Sequence, residues 1–415
     1  MKIMKITLGI VKTDLTGKFH EDLLSSIQDN LDGLSEIVFS GTENDINLSD
    51  IGIPVKYLNI NSDNKSVLRN SIIDNSDGDY IIWISNSCEL DFDFVGEILE
   101  VIEKNPDVDI VYPNEVIIDI NGVEIVRKFD DIYDREIELV RVLKPEKNIP
   151  EWGIITRKSI FEKLGKFDEY FEDYEIYDFI WKNVKSLKMK LSKFSFIINK
   201  HTDTFVDTSY NSYSLRKNIS LYRLEELFPH LNWSNNENLA LSTAYYLIGD
   251  TLSDYYDLFN ASEYFRKSAI SFHNKISIKK LVNTYLNMGI FDRALELLRE
   301  DQGFTKEEIK SLTDDINSIK NLIDSIEKSI SEGKVREIME SISEIYSVYK
   351  GAPILNILGV INYIAGNKED AFKFFYKAVT INPIDDNMLH NLIDVSKELG
   401  KEEKVKGLIN RLIGQ

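Results

Sequence analysis

Cysteine is almost missing. Cys88 is the single one in 415 residues, so the chain can form no internal disulfide and no cysteine-based metal cluster. Long apolar runs are missing too. The stretch MKIMKITLGIVKT holds a run of six apolar residues before Lys12, too short for a signal peptide. No run approaches the ~18 to 20 residues of a membrane span, and a cytoplasmic protein without such a span is expected. Positive charge is in deficit: 49 Lys and Arg stand against 69 Asp and Glu, a net charge of −20 spread along the chain. Nucleic acid and anionic membrane surfaces need a basic footprint, so neither is expected as the main partner. The hydrophobic share, 43%, is ordinary for a soluble globular protein. The length suffices for two or three domains with cores of their own.

What is present changes character midway. Over residues 1–205, short apolar runs alternate with amphipathic stretches. Strands are predicted at Ile6–Val11, Glu36–Ser40, Val55–Ile60, Tyr80–Ile84, Val108–Tyr112 and Phe194–Ile198. Helices are predicted at His20–Asn30, Ser66–Asn75 and Phe94–Asn105, the last with Phe94, Ile98, Leu99 and Ile102 on one face and Asp91 or Asp93 as its cap. Such alternation predicts an α/β domain with a largely parallel sheet, whose ligands sit at the carboxyl ends of the strands. Residues 206–235 are polar and Tyr-rich and read as a connector. From 236 to 415 helices succeed one another. Gly366, Ala371, Phe375, Ala378 and Pro383, with Leu358-Gly359 before them, keep tetratricopeptide spacing. Similar units carry Gly249, Ala261 and Phe265, then Gly289, Ala294 and Leu298, a fainter one Gly333, Ile338 and Ile342, and a last one Leu392, Gly400 and Val405. About five helical hairpins are expected, with an extra helix near Lys306–Leu322 interrupting them.

Four segments of the first half resemble the family-2 glycosyltransferases of the GT-A fold. ITLGIVKTD is similar to the family's first strand and the turn after it, which places Thr13 and Asp14 beside a nucleotide sugar. LRNSIIDNSDGDYIIWI matches in register: an Arg-Asn pair on a helix, here Arg69 and Asn70, then Gly78-Asp79-Tyr80 opening the strand that leads to the metal site. GIITRKSIFEKLGKFDEYFEDYEIYDFIWK matches without a gap at Arg157, Gly165, Phe167, Asp168, Glu169, Glu175 and Asp178. FSFIINKH resembles the last strand, ending at His201, where some members place a metal-binding histidine. Several members carry tetratricopeptide repeats behind the transferase domain. The resemblance implies a GT-A domain over residues 1–205 followed by an all-α tetratricopeptide-like solenoid.

The departures fall on chemistry. Moving a sugar from a nucleoside diphosphate requires a neutralised leaving group, a base for the acceptor hydroxyl and a nucleotide pocket. Where the family has its metal-binding Asp-x-Asp, this chain has Ser85-Asn86-Ser87, whose neutral oxygens hold a divalent ion far less firmly than carboxylates. Ser40-Gly41 stand where an Asp reads the nucleotide base, and Ile176 stands where the family has its catalytic base. The residues left for the task are Arg69, Asn70, Ser85, Asn86 and Ser87 toward the nucleotide sugar, and Glu175 and Asp178 as catalytic carboxylates. Glu89 and His201 are the remaining metal ligands. Asp91 and Asp93 repeat the Asp-x-Asp letters but read as helix caps, and Cys88 reads as a small buried residue. Manganese or magnesium is expected to be held loosely or not at all. Two functions are compatible with this pattern. One is a glycosyltransferase acting on a protein or glycan acceptor docked by the repeats. The alternative is a catalytically degenerate relative that binds or scaffolds.

Overall fold

The computed structural model describes residues 4–13, 20–119, 121–131, 143–200, 207–300 and 303–414. Two compact units divide the chain: residues 1–207 with 217–222, and residues 208–216 with 223–415. The stretch read as a connector holds a helix, Ser209–Ile219, whose residues are divided between the units, and a short helix, Leu224–Leu227.

The first unit is built on a nine-stranded mixed sheet. Strands β1 (Ile6–Val11), β2 (Leu34–Phe39), β3 (Val55–Tyr57) and β4 (Tyr80–Ser85) are parallel in the order β3-β2-β1-β4. Every residue of β1 and β4 is buried, which explains their largely apolar sequences. Beyond β4 come β8 (Ile154–Arg157), β6 (Ile110–Ile118), β9 (Met189–Lys200) and the edge strand β5 (Cys88–Leu90), while β7 (Glu124–Arg127) pairs with β6. The sequence reading lacked β5 and β7. β5 has three residues, and β7 exposes Ile125 and Val126, so neither shows the burial pattern that marks a strand. β8 is not among the strands read from the sequence, and Arg157, a matched residue of the resemblance, ends it.

Helices α1 (His20–Gln28), α2 (Lys65–Asn75) and α3 (Phe94–Lys104) lie near their predicted positions, and α4 (Ser159–Leu164) and α5 (Glu175–Asn183) come after them. One cap differs from expectation. Asp93 occupies the N-cap position of α3 in a left-handed conformation, φ 56°, and its side chain makes no capping bond. Asn30 supplies the cap: its Oδ1 accepts the Val95 N–H (3.1 Å) and its Nδ2 donates to the Asp91 carbonyl (2.9 Å). The Asp93 carboxylate lies over the first turn, where a Cβ on Gly96 would come 2.2 Å from its Oδ1, without bonding to a helix N–H.

The second unit is helical in all its described elements. With Ser209–Ile219 as α6 and Leu224–Leu227 as α7, it continues as α8 (Glu237–Asp254), α9 (Leu258–Ser271), α10 (Lys275–Met288), α11 (Phe291–Glu300), α12 (Lys306–Ser331), α13 (Val335–Val348), α14 (Ala352–Ile364), α15 (Lys368–Ile381), α16 (Asp386–Leu399) and α17 (Glu402–Ile413). Successive helices from α8 onward pair as five hairpins. Gly249 and Gly359 let their hairpins close: a Cβ on either would lie 3.0 or 2.4 Å from the ring of Phe265 or Phe375, each sixteen residues later. The helix read as an interruption is instead the first, 26-residue arm of the hairpin α12–α13. That hairpin is bypassed. The Asn382 amide donates to the Met288 carbonyl (2.9 Å) and the Tyr349 hydroxyl to the Leu286 carbonyl (2.8 Å), joining the α10 end to the α14–α15 region directly. The last helix also meets the first hairpin, because Asn260 donates to the Leu412 carbonyl (3.0 Å). Buried Arg411 donates to Ser209 (2.8 Å) and Tyr376 (3.1 Å). Among the described residues no helix is long and apolar enough to cross a membrane.

Candidate functional site

The sheet itself points to a crevice. From β1 the chain passes to β2 on one side and, after β3 and α2, to β4 on the other, so the strand order reverses between β1 and β4. Val11 pairs with Ser85 across that line. Open α/β sheets bind ligands where such a reversal splays the connections at the carboxyl ends. Here the two ends are sewn together: Asn86 Oδ1 accepts the Thr13 N–H (2.8 Å) and the Thr13 hydroxyl (3.2 Å), while the Asn86 N–H donates to the Val11 carbonyl (3.2 Å). Thr13 and Asn86, both expected near the nucleotide, therefore stand in contact. Beside them Ser40 accepts the Lys12 N–H (2.9 Å), and Lys12 pairs with Asp45 (2.8 Å). The Lys12 hydrogen bond, with those from Thr42, holds the Asp45 carboxyl down at about 2.

The Ser85–Ser87 end does not fit a divalent metal. Ser85 Oγ lies 2.8 Å from Ser87 Oγ and 3.1 Å from Cys88 Sγ, so these neutral oxygens are already engaged. Burial pushes the Cys88 thiol up to about 12, which keeps it protonated and unreactive. Glu89 is bound by the Lys200 ammonium, which also pairs with Asp22. Among the described residues no group of three or more His, Cys, Asp or Glu could hold a metal. Asp14 and His201 lie outside the described residues.

The carboxylate side is a buried charge cluster. Arg69 on α2 and Glu175 at the start of α5 are both fully buried, and Arg69 Nε donates to Glu175 Oε1 at 2.6 Å. The guanidinium packs over the rings of Trp152 (4.5 Å), Trp83 (5.1 Å) and Phe167 (5.9 Å). Arg69 Nη1 and Nη2 and Glu175 Oε2 have no hydrogen-bond partner among the described residues. Burial raises the Glu175 carboxyl against the opposing charges of Arg69 and Lys65. Next to this pair, Lys65 bridges Glu151 (2.6 Å) and Asp173 (2.8 Å). Burial works against the Lys65 ammonium, and the surrounding carboxylates Glu151, Asp173 and Glu175 more than offset it, so its pKa is raised. Asp178 faces elsewhere: it accepts from Asn218 (2.7 Å) and lies 3.6 Å from Lys217. Glu175 and Asp178 share a helix turn but serve different partners.

Asn70 turns inward as well. It donates to the Phe167 carbonyl (3.0 Å) and to Glu169 (3.2 Å), and accepts the Phe167 N–H (3.1 Å), fastening α2 to the Gly-Lys-Phe-Asp-Glu turn. Gly78 permits close approach: a Cβ there would sit 2.5 Å from Thr7 Oγ1. Glu151, Lys65 and Lys200 escaped the sequence reading. Lys65 and Glu151 are 86 residues apart, and nothing local in Glu-Trp-Gly announces their meeting.

No family model matches the chain, and no curated protein matches it in sequence. Similar solved structures include S. aureus TarS 1–349 in complex with UDP-GlcNAc, at 12% identity and a TM-score of 0.45, covering 76% of this chain and 92% of that one. The complex of S. aureus TarS 1–349 with UDP is similar at 12% identity and a TM-score of 0.40, over 65% and 89% of the two chains. GalNAc-T7 with UDP, GalNAc and Mn2+ is similar at 14% identity and a TM-score of 0.40, over 61% and 55%.

Proposed function

We propose that the chain is a glycosyltransferase of the family-2 type with a GT-A domain. It takes a nucleoside diphosphate-sugar at the carboxyl ends of β1 and β4 and moves the sugar to a protein or glycan acceptor docked by the tetratricopeptide-like helices. The observation that carries this reading is the strand-order reversal at Val11 and Ser85, with Thr13 and Asn86 in contact across it. Neutral donors and acceptors at that crevice suit a sugar and a base better than a naked divalent ion. The diphosphate is then stabilised by hydrogen bonds and cations rather than by a tightly held metal.

The test is calorimetric titration of UDP, GDP and their sugar conjugates into the full chain, each with manganese and with a chelator. Binding should appear for one base, and manganese should improve it by less than tenfold, about 1.4 kcal/mol. No binding of either nucleotide would overturn the reading. A larger gain would mean that carboxylates outside Ser85–Ser87 assemble a metal site.

One observation favours the second reading, a module that binds a nucleotide sugar without turning it over. Glu175 is fully buried against Arg69, a position that suits a structural carboxylate. Under this reading the nucleotide binds and no sugar is released to water or acceptor.

A further inference from the structure

The strand that leads into β8 passes the crevice. Ile154 pairs with Trp83, and Gly153, in the left-handed conformation at φ 74°, donates its N–H to the same Trp83 carbonyl at 2.7 Å. Two residues thus face one, a bulge that redirects the incoming chain. Glu151 and Trp152 come immediately before Gly153, on the side of the antiparallel pair toward which β4 runs to its end at Ser85. The Glu151 charge is felt at Cys88, just past that strand end, and at Glu175 and Tyr177 on α5. Lys65 ties Glu151 to Asp173, so the residue links the stretch before β8 to the carboxylate cluster.

Its state differs from that of its neighbours. Glu175 is fully buried, and Glu115 is buried and paired with Arg127 at 2.8 Å. Asp173 shares Lys65 through Oδ1, which also takes the Tyr174 N–H, and it is 46% exposed; of the two, Glu151 is the one just before Gly153 at the β4 pairing. Glu151 keeps 26% of its side chain exposed, has Oε1 fixed by Lys65 at 2.6 Å, and has Oε2 without a hydrogen bond among the described residues. Lys65 holds the carboxylate in one orientation. An oriented carboxylate with a free, solvent-facing oxygen beside a substrate crevice is what a general base requires.

We propose that Glu151 is the base that activates the acceptor, a role that rests on the transferase reading above. The acceptor hydroxyl gives its proton to Glu151 Oε2 as its oxygen bonds to the anomeric carbon. The bond from that carbon to the diphosphate oxygen breaks, and the diphosphate leaves with the electron pair. Lys65 is a positioning residue for this step.

The experiment compares wild type with Glu151→Gln and Glu151→Asp on the nucleotide sugar that binds in titration, with water as acceptor and release of the nucleoside diphosphate as the signal. Glu151→Gln should lower kcat by about 10²-fold or more, leave nucleotide affinity within threefold, and remove the acid limb of the kcat/KM pH profile. Glu151→Asp should restore part of the rate. Nucleotide binding by each variant reports that it is folded. Equal turnover by wild type and Glu151→Gln overturns this assignment and leaves the transferase reading intact. Binding without turnover by wild type also overturns it, in favour of the binding module. Absence of any nucleotide binding overturns the transferase reading itself.

Discussion

The motif residues that this chain shares with its resemblance are occupied with holding the fold. Arg69 and Glu175 bind each other, Asn70 fastens α2 to the Phe167 turn, Asp178 takes Asn218, and Gly78 makes room for Thr7. Ser85 to Ser87 and Ile176 are positions where the resemblance leads one to expect carboxylates and the chain has none. This division has an energetic consequence. Removing one member of a buried ion pair strands the other in a dry, aromatic surrounding, at a cost of about 3–5 kcal/mol. Glu175→Met and Arg69→Met, like Glu175→Gln, should therefore each destabilise the first unit by that order, while Arg69→Met with Glu175→Met should recover much of the loss. Urea denaturation of the two single variants and the double variant measures the coupling. Additive losses would mean that the pair does not act as a unit. A fall in activity of Glu175→Gln accompanied by such unfolding would say nothing of catalysis, which is why Glu151, a partly exposed carboxylate, makes the cleaner test.

At the scale of elements, α3 shows how a local rule can point to the wrong residue. Asp91 and Asp93 are where a cap belongs, yet the capping oxygen comes from Asn30, sixty-five residues before the Val95 N–H that it accepts. Asn30→Ala should cost about 1–2 kcal/mol, since it removes a cap and leaves the Asp91 carbonyl and the Val95 N–H without their partner. Asp93→Ala should change stability by less than about 0.5 kcal/mol. Thermal melts of the two variants compare them, and an equal loss would restore Asp93 to the capping role. The same contrast explains what the sequence made legible. β1 and β4 are buried on both faces, so apolar runs alone reveal them, and α2 carries its own cap in Asn64. β7 is exposed and β5 has three residues, so their existence depends on the strands they pair with. In the site, the strand end at Ser85 and the helix starts were legible because they arise from local pattern. The pairing of Lys65 with Glu151, or Glu89 with Lys200, was not, because each depends on how distant segments meet.

The helical unit behaves as more than a row of hairpins. In an open array each repeat touches its neighbours alone, and stability is a sum of local terms. Here α17 reaches α9 and α6 through the Leu412 carbonyl and the Arg411 guanidinium, and α10 reaches the α14–α15 region past α12–α13. Deleting residues 402–415 should therefore loosen the start of the unit as well as its end. Hydrogen exchange should show lost protection at 258–271 in the truncated chain, and unchanged protection there would refute the closure. The bypassed hairpin has the opposite property. Because α10 already bonds to the α14–α15 region, the α12–α13 arm is a side branch, and the unit has a trunk and a limb. The trunk is fixed in length by being joined at both extremities, so lineages carrying this arrangement have little freedom to gain or drop a trunk repeat. The limb is where size can vary.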